Sequence, residues 1–150
     1  MFNLFKKEFF TAEEKKRIVD AIREAEKRTS GEIRVFVESH CRYVDPLERA
    51  AEVFFSLEMD ETKDHNAVLV YVAMKDRQLA VFGDKGIHEK VGTDYWRKEV
   101  ELMISKFNSE NYGEGISQCV LDIGEALHHY FPYDQDTDKN ELPDEIVFGK

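Results

Sequence analysis

Apolar and polar positions alternate in blocks along this chain, and the densest apolar block lies between Asn66 and Ile87, NAVLVYVAMKDRQLAVFGDKGI. Ala67 to Met74 is an unbroken apolar run in which Val68, Val70 and Val72 favour a pleated backbone, so it predicts a central strand covered on both faces. Lys75-Asp76-Arg77-Gln78 supplies the polar connection of a hairpin, and Leu79 to Phe82 returns alongside. Gly83-Asp84-Lys85-Gly86 then ends the second strand, where two glycines predict positive φ and a sharp exit.

Upstream, Thr11 with Glu14 three residues on has capping-box spacing, and Ile18, Ile22 and Ala25 give the helix that follows one buried stripe. Ser30-Gly31 ends it. Glu32 to Glu38, EIRVFVE, puts Ile33, Val35 and Val37 on one face of a strand. Asp45-Pro46-Leu47-Glu48 is a second helix start, with Leu47, Ala50, Ala51 and Phe54 expected to share the inward face. Strand, helix and strand in that order predict two parallel strands joined by a right-handed crossover, and the loop Glu58 to His65 delivers the chain into the central strand. After the hairpin, Ile87 to Gly92 predicts a short helical turn and Thr93 a cap for a helix carrying Trp96, Val100, Met103, Ile104 and Phe107 inward. Asn108 to Gly115 breaks the chain before a last helix with Ile116, Cys119, Val120, Ile123, Leu127 and Phe131 inward, ended by Pro132. The economical packing is α/β: an αβα sandwich with a small mixed sheet of about four strands flanked by helices on both faces. Residues 1–132 form this domain, and 133–150 read as a solvated acidic tail, because six acids against two lysines leave little to bury.

Composition narrows the function classes. At 150 residues the chain fits one domain, and 31 acidic against 21 basic side chains give a net charge of −10. That field repels phosphate backbones and anionic headgroups, so nucleic acid is excluded as a partner and another protein with a basic patch, or a metal cation, is favoured. Two distant cysteines, Cys41 and Cys119, make neither a disulfide framework nor a zinc site, and no window reaches the roughly 20 apolar residues of a membrane span. The N-terminal MFNLFKKEFF is interrupted by charge and lacks an apolar signal core, so the chain reads as a cytoplasmic protein, expected to act as a monomer.

Candidate chemistry follows from topology. If the first two strands are parallel and the third antiparallel, one end of the sheet gathers Glu32, then Asp60, Glu61 and Asp64, then Asp84 and Glu89. Converging carboxylates repel unless a proton or cation intervenes, and an all-oxygen set favours Ca2+ or Mg2+ over softer metals. Asp134, Asp136, Asp138, Asn140 and Glu145 show calcium-loop spacing, but Lys139 stands where that loop needs glycine and no amphipathic helix follows. His40-Cys41 offers a thiol beside a base with no third group to orient it, and His128-His129 lies late in a helix where a cation suits the dipole. No catalytic set emerges from the residues themselves.

The ordered blocks SGEIRVFVE, TKDHNAVLVYVAMKDRQLAVFGDKGI, the tryptophan-bearing helix, NYGEGI and HHYFP together resemble the TPM domain over about residues 11 to 132. The resemblance implies an αβα sandwich. Some plant members of that family are described as acid phosphatases, some members bind calcium, and many carry a signal peptide and a membrane anchor; this chain is similar to the small stand-alone bacterial form. Asp84 in GDKGI and Glu32 in SGEI fall within matching motifs, while Asp60, Asp64 and Glu89 rest on the topology. The expectation is a divalent-metal-binding interaction or regulatory module, with a weak metal-dependent acid phosphatase as the alternative.

Overall fold

The computed structural model describes residues 9–133 and 146–149. Its elements run α1 (Ala12–Glu26), β1 (Glu32–Glu38), α2 (Pro46–Ser56), a 3-10 turn (Met59–Glu61), β2 (Ala67–Ala73), β3 (Gln78–Gly83), α3 (Lys85–Val91), α4 (Thr93–Asn108), α5 (Tyr112–Tyr130) and β4 (Ile146–Phe148). The sheet order is β3-β2-β1-β4, with β1 parallel to β2 and β2 antiparallel to β3, as the strand patterns predict. Alternation along the strands sorts the core into two layers. Ile33, Val35, Val37, Val68, Val70, Val72, Leu79 and Val81 face α1, α3, α4 and α5. Phe36, Leu69, Tyr71 and Ala80 face α2 on the other side. All seven residues of β2 are buried, which explains its continuous apolar run.

Local signals account for most helix ends. Thr11 accepts the Glu14 N–H at 3.1 Å while Glu14 Oε1 accepts the Thr11 N–H at 2.8 Å, the reciprocal capping box. Asp45 accepts the Leu47 N–H at 2.9 Å with Pro46 in the first turn. Thr93, expected to cap α4, is instead its first residue; Gly92 precedes it at φ 81° and no side chain caps the end.

Other expectations are corrected, and one lies beyond the described residues. The fourth strand comes from the segment read as solvated tail: Ile146, Val147 and Phe148 pair in parallel with Val35, Phe36 and Val37. Three apolar residues inside an acidic stretch carry too short a pattern to stand out, yet the exposed edge of β1 offers them a ladder. The calcium-loop spacing from Asp134 to Glu145 lies outside the described residues. Leu47 and Ile104, assigned to inward faces, are 45% and 40% exposed; Val53 fills the α2 core position instead. Gly83 and Gly86 serve close approach rather than positive φ. A Cβ on Gly83 would stand 2.4 Å from Trp96 Cζ2, and one on Gly86 would stand 2.2 Å from the Asp64 carbonyl oxygen.

Candidate functional site

Because β2 and β1 occupy the middle of the sheet, β3 is an edge strand, and the two helices beside it lie on opposite faces. Between them runs a groove of about 910 Å3 along β3, within the volume range of ligand sites. Leu47 and Phe55 of α2 form one wall, Trp96, Arg97 and Val100 of α4 the other, and Leu79 to Gly83 the floor. The walls are held by aromatic packing. Phe82 contacts Phe54 at 4.9 Å and Phe55 at 6.0 Å between ring centroids, and Trp96 lies on the bare backbone of Gly83. Phe55 is 53% exposed although it is a large aromatic, so its apolar face borders the open groove.

Polar groups cluster at the end where β3 leads into α3. Asp84 is the N-cap of α3: its Oδ1 accepts the Lys85 N–H at 2.8 Å, and its Oδ2 meets His65 Nδ1 at 3.1 Å. His65 holds positive φ, 50°, which turns the chain sharply before β2 and brings the 64–65 backbone against Gly86. Trp96 Nε1 donates to His88 Nδ1 at 3.0 Å, which requires that nitrogen to be unprotonated and so orients both rings. Asp60, Lys85, His88 and Arg97 line the groove together with Asp84, and Asp45 lines it from the N-terminus of α2, beside the opposite end of the sheet.

The strand directions bring the start of β1, the loop before β2 and the end of β3 to one end of the sheet. Asp60 and Asp84 share the groove. Glu32 lies at the start of β1, paired in register with Ala67 and 3% exposed, on the strand face opposite to Ile33. Asp64 and Glu89 are exposed, the first in the loop before β2 and the second on α3. Among the described residues no group of three or more His, Cys, Asp or Glu side chains is arranged to hold a metal ion.

A family model of the TPM domain matches residues 5–126. The chain belongs to the TPM domain family. The solved NMR structure of BA42 protein from the psychrophilic bacterium Bizionia argentinensis is similar to this TPM domain at 45% identity and a TM-score of 0.86, covering 96% of this chain and 98% of that one. No curated protein matches the chain. Among the described residues of the TPM domain, no helix is long and apolar enough to cross a membrane.

Two buried polar clusters of this TPM domain escape the sequence pattern. On the α2 face, Arg49 donates to both Glu38 oxygens at 2.9 Å, and Tyr71 Oη donates to Glu38 Oε2. The Glu38 hydrogen bonds hold Arg49 more firmly protonated, and burial, followed by the Glu38 bond, pushes the Tyr71 phenol up. On the opposite face, Glu99 of α4 is 5% exposed and meets Asp122 of α5; desolvation first, then the Asp122 charge, raises its carboxyl to about 8. Cys119 is buried close by, its thiol pushed well up by burial, so it is not a nucleophile. Cys41 and His40 are tied to the hairpin instead, both through Asp76, with His40 Nδ1 at 2.9 Å and the Cys41 N–H at 2.8 Å. These pairings join residues 11 to 36 positions apart on different elements, with no local spacing to reveal them.

Proposed function

We propose that this TPM domain is an interaction module that docks another polypeptide in the groove along β3, and that Ca2+ or Mg2+ binds at the acid-lined end of that groove. The observation that carries the docking reading is an apolar groove of about 910 Å3 running along an edge strand, with the exposed Phe55 on its wall. The net charge of −10 favours a partner segment with basic flanks, since long-range attraction raises the encounter rate.

The cation reading rests on Asp60 and Asp84, which line the same groove, with Glu32, Asp64 and Glu89 at the same sheet end. An ion there draws Asp84 Oδ2 from His65 and pins the loop before β2 to the start of α3. Docking is tested by selecting random dodecapeptides displayed on phage against the protein and mapping the binders by amide NMR. Binders should shift Leu79 to Gly83 and lose most of their affinity for Phe55→Glu, an exposed change that spares the fold. If no selected peptide shifts the groove, docking there is wrong. For the cation, saturation at a hundred times the dissociation constant should stabilise the fold by about 2.7 kcal/mol. Asp84→Asn should remove most of that gain while still capping α3, because asparagine caps as well as aspartate. Unchanged melting and amide shifts under millimolar Ca2+ and Mg2+ would refute the metal.

A further inference from the structure

The backbone of β3 shows how the groove takes its partner. Asp84 N–H donates to the Ala67 carbonyl at 2.9 Å, and Ala67 faces Asp84 in the antiparallel register that pairs Val68 with Gly83. In an antiparallel ladder the hydrogen-bonding direction alternates residue by residue, so Phe82, Ala80 and Gln78 also point their backbone groups at β2. The N–H and C=O groups of Leu79, Val81 and Gly83 therefore point outward, onto the groove floor. Among the described residues none of the three has a hydrogen-bond partner on that side. Leu79 is 5% and Val81 2% exposed, so the outward groups of these two are also withdrawn from bulk water, while Gly83 is half-buried. Withdrawn and unpaired backbone groups are costly, and native structures rarely leave them so.

We propose, building on the docking reading, that the occupant is an extended segment of another protein that adds to the sheet as a fifth strand against β3. The row of outward groups at every second residue matches the repeat of an extended chain and of no helix. Alternate side chains of an added strand then point to the two faces of the sheet, one set toward Phe55 and Leu47 of α2 and the other toward Trp96 and Val100 of α4. Both walls are apolar, so the segment is an unbroken apolar stretch about as long as the six residues of β3, rather than an alternating one. Asp45 before α2 and Asp60 after it, in the groove lining, and the chain's charge of −10 select lysine or arginine flanking that stretch. The opposite edge of the sheet is β4, which at three residues is too short a template for such a segment, with Phe148 packed on Phe9 and Phe10.

The test uses the full chain and the dodecapeptides selected above, synthesised with and without N-methyl groups. Bound peptide should protect the Leu79, Val81 and Gly83 amides from hydrogen exchange by at least tenfold, leaving Ala80 and Phe82, already bonded to β2, little changed. N-methylation at alternate peptide positions should weaken binding at least tenfold in one phase and leave it within about twofold in the other, because only every second peptide amide faces β3. Peptides that shift the groove but protect none of these amides, and tolerate N-methylation in both phases, overturn strand addition while docking survives. Peptides that never reach the groove overturn the docking reading itself. If the same three amides gain protection with protein concentration alone, alongside a dimer in sedimentation, the occupant is a second copy and the foreign segment is wrong.

Discussion

Glu99 should make this protein lose stability as the pH rises from about 4.5 to about 8. Its side chain lies between α4 and α5 at 5% exposure, its Oε1 has no hydrogen-bond partner, and its other contact is the Asp122 carboxylate. The Asp122 carboxylate is in turn engaged by Gln118 Nε2 at 2.9 Å, and Lys98 gives Glu99 only minor relief. The carboxyl therefore keeps its proton in the fold up to about 8, against an ordinary value of 4.5. The raised value gives the sign: below 4.5 both states are protonated and the fold has its full stability. Between 4.5 and 8 the unfolded chain has released the proton and the fold has not, so stability falls with rising pH, and above 8 the loss is complete. Each unit removes about 1.4 kcal/mol, so the descent is about 5 kcal/mol, or on the order of 10 °C in Tm for a chain of this size. Glu99→Gln keeps the donor to Asp122 without the charge. Urea melts at half-unit steps from pH 4.5 to 9 should superpose the two proteins at the acid end and leave the variant more stable by about 4 to 5 kcal/mol at pH 9. Parallel curves across that range would refute the argument, since every other titrating group is common to both.

Three other outcomes follow from the same structure. Arg49→Met strands Glu38, 5% exposed, on the α2 face and should cost about 3 kcal/mol in chemical denaturation; adding Glu38→Gln should restore more than half of it, and independent, additive losses would show that the pair is not coupled. Truncation after Tyr133 removes β4 and uncovers the Val35 to Val37 edge, so Tm should fall by the equivalent of about 2 to 3 kcal/mol rather than stay unchanged, as a solvated tail would require. Glu38 and Glu99 lie on opposite faces of the sheet, so the double variant Arg49→Met/Glu38→Gln, which strands no carboxylate, should shift the whole pH profile down without altering its slope; a changed slope would show that the two clusters communicate.

The chain's own pattern determined the elements that depend on local chemistry. The capping box at Thr11, the Asp45-Pro46 helix start, the fully buried β2 and the parallel and antiparallel pairings of β1, β2 and β3 all follow from periodicity, caps and connection length. Those signals act over a few residues, and a strand–helix–strand order leaves few topologies open. Tertiary structure decided the rest. Ile146 to Phe148 has no pattern of its own and becomes a strand because β1 presents an edge. Leu47 and Phe55 stand exposed because the helix that could cover them lies on the other face, which turns an amphipathic stripe into the wall of a groove. Gly83 and Gly86 are glycines for a ring and a carbonyl that approach from elsewhere in the chain. Asp84 sits at the expected end of the sheet, but its oxygens are directed by Lys85 and His65, and nothing in local spacing encodes where a carboxylate points once its backbone has been placed.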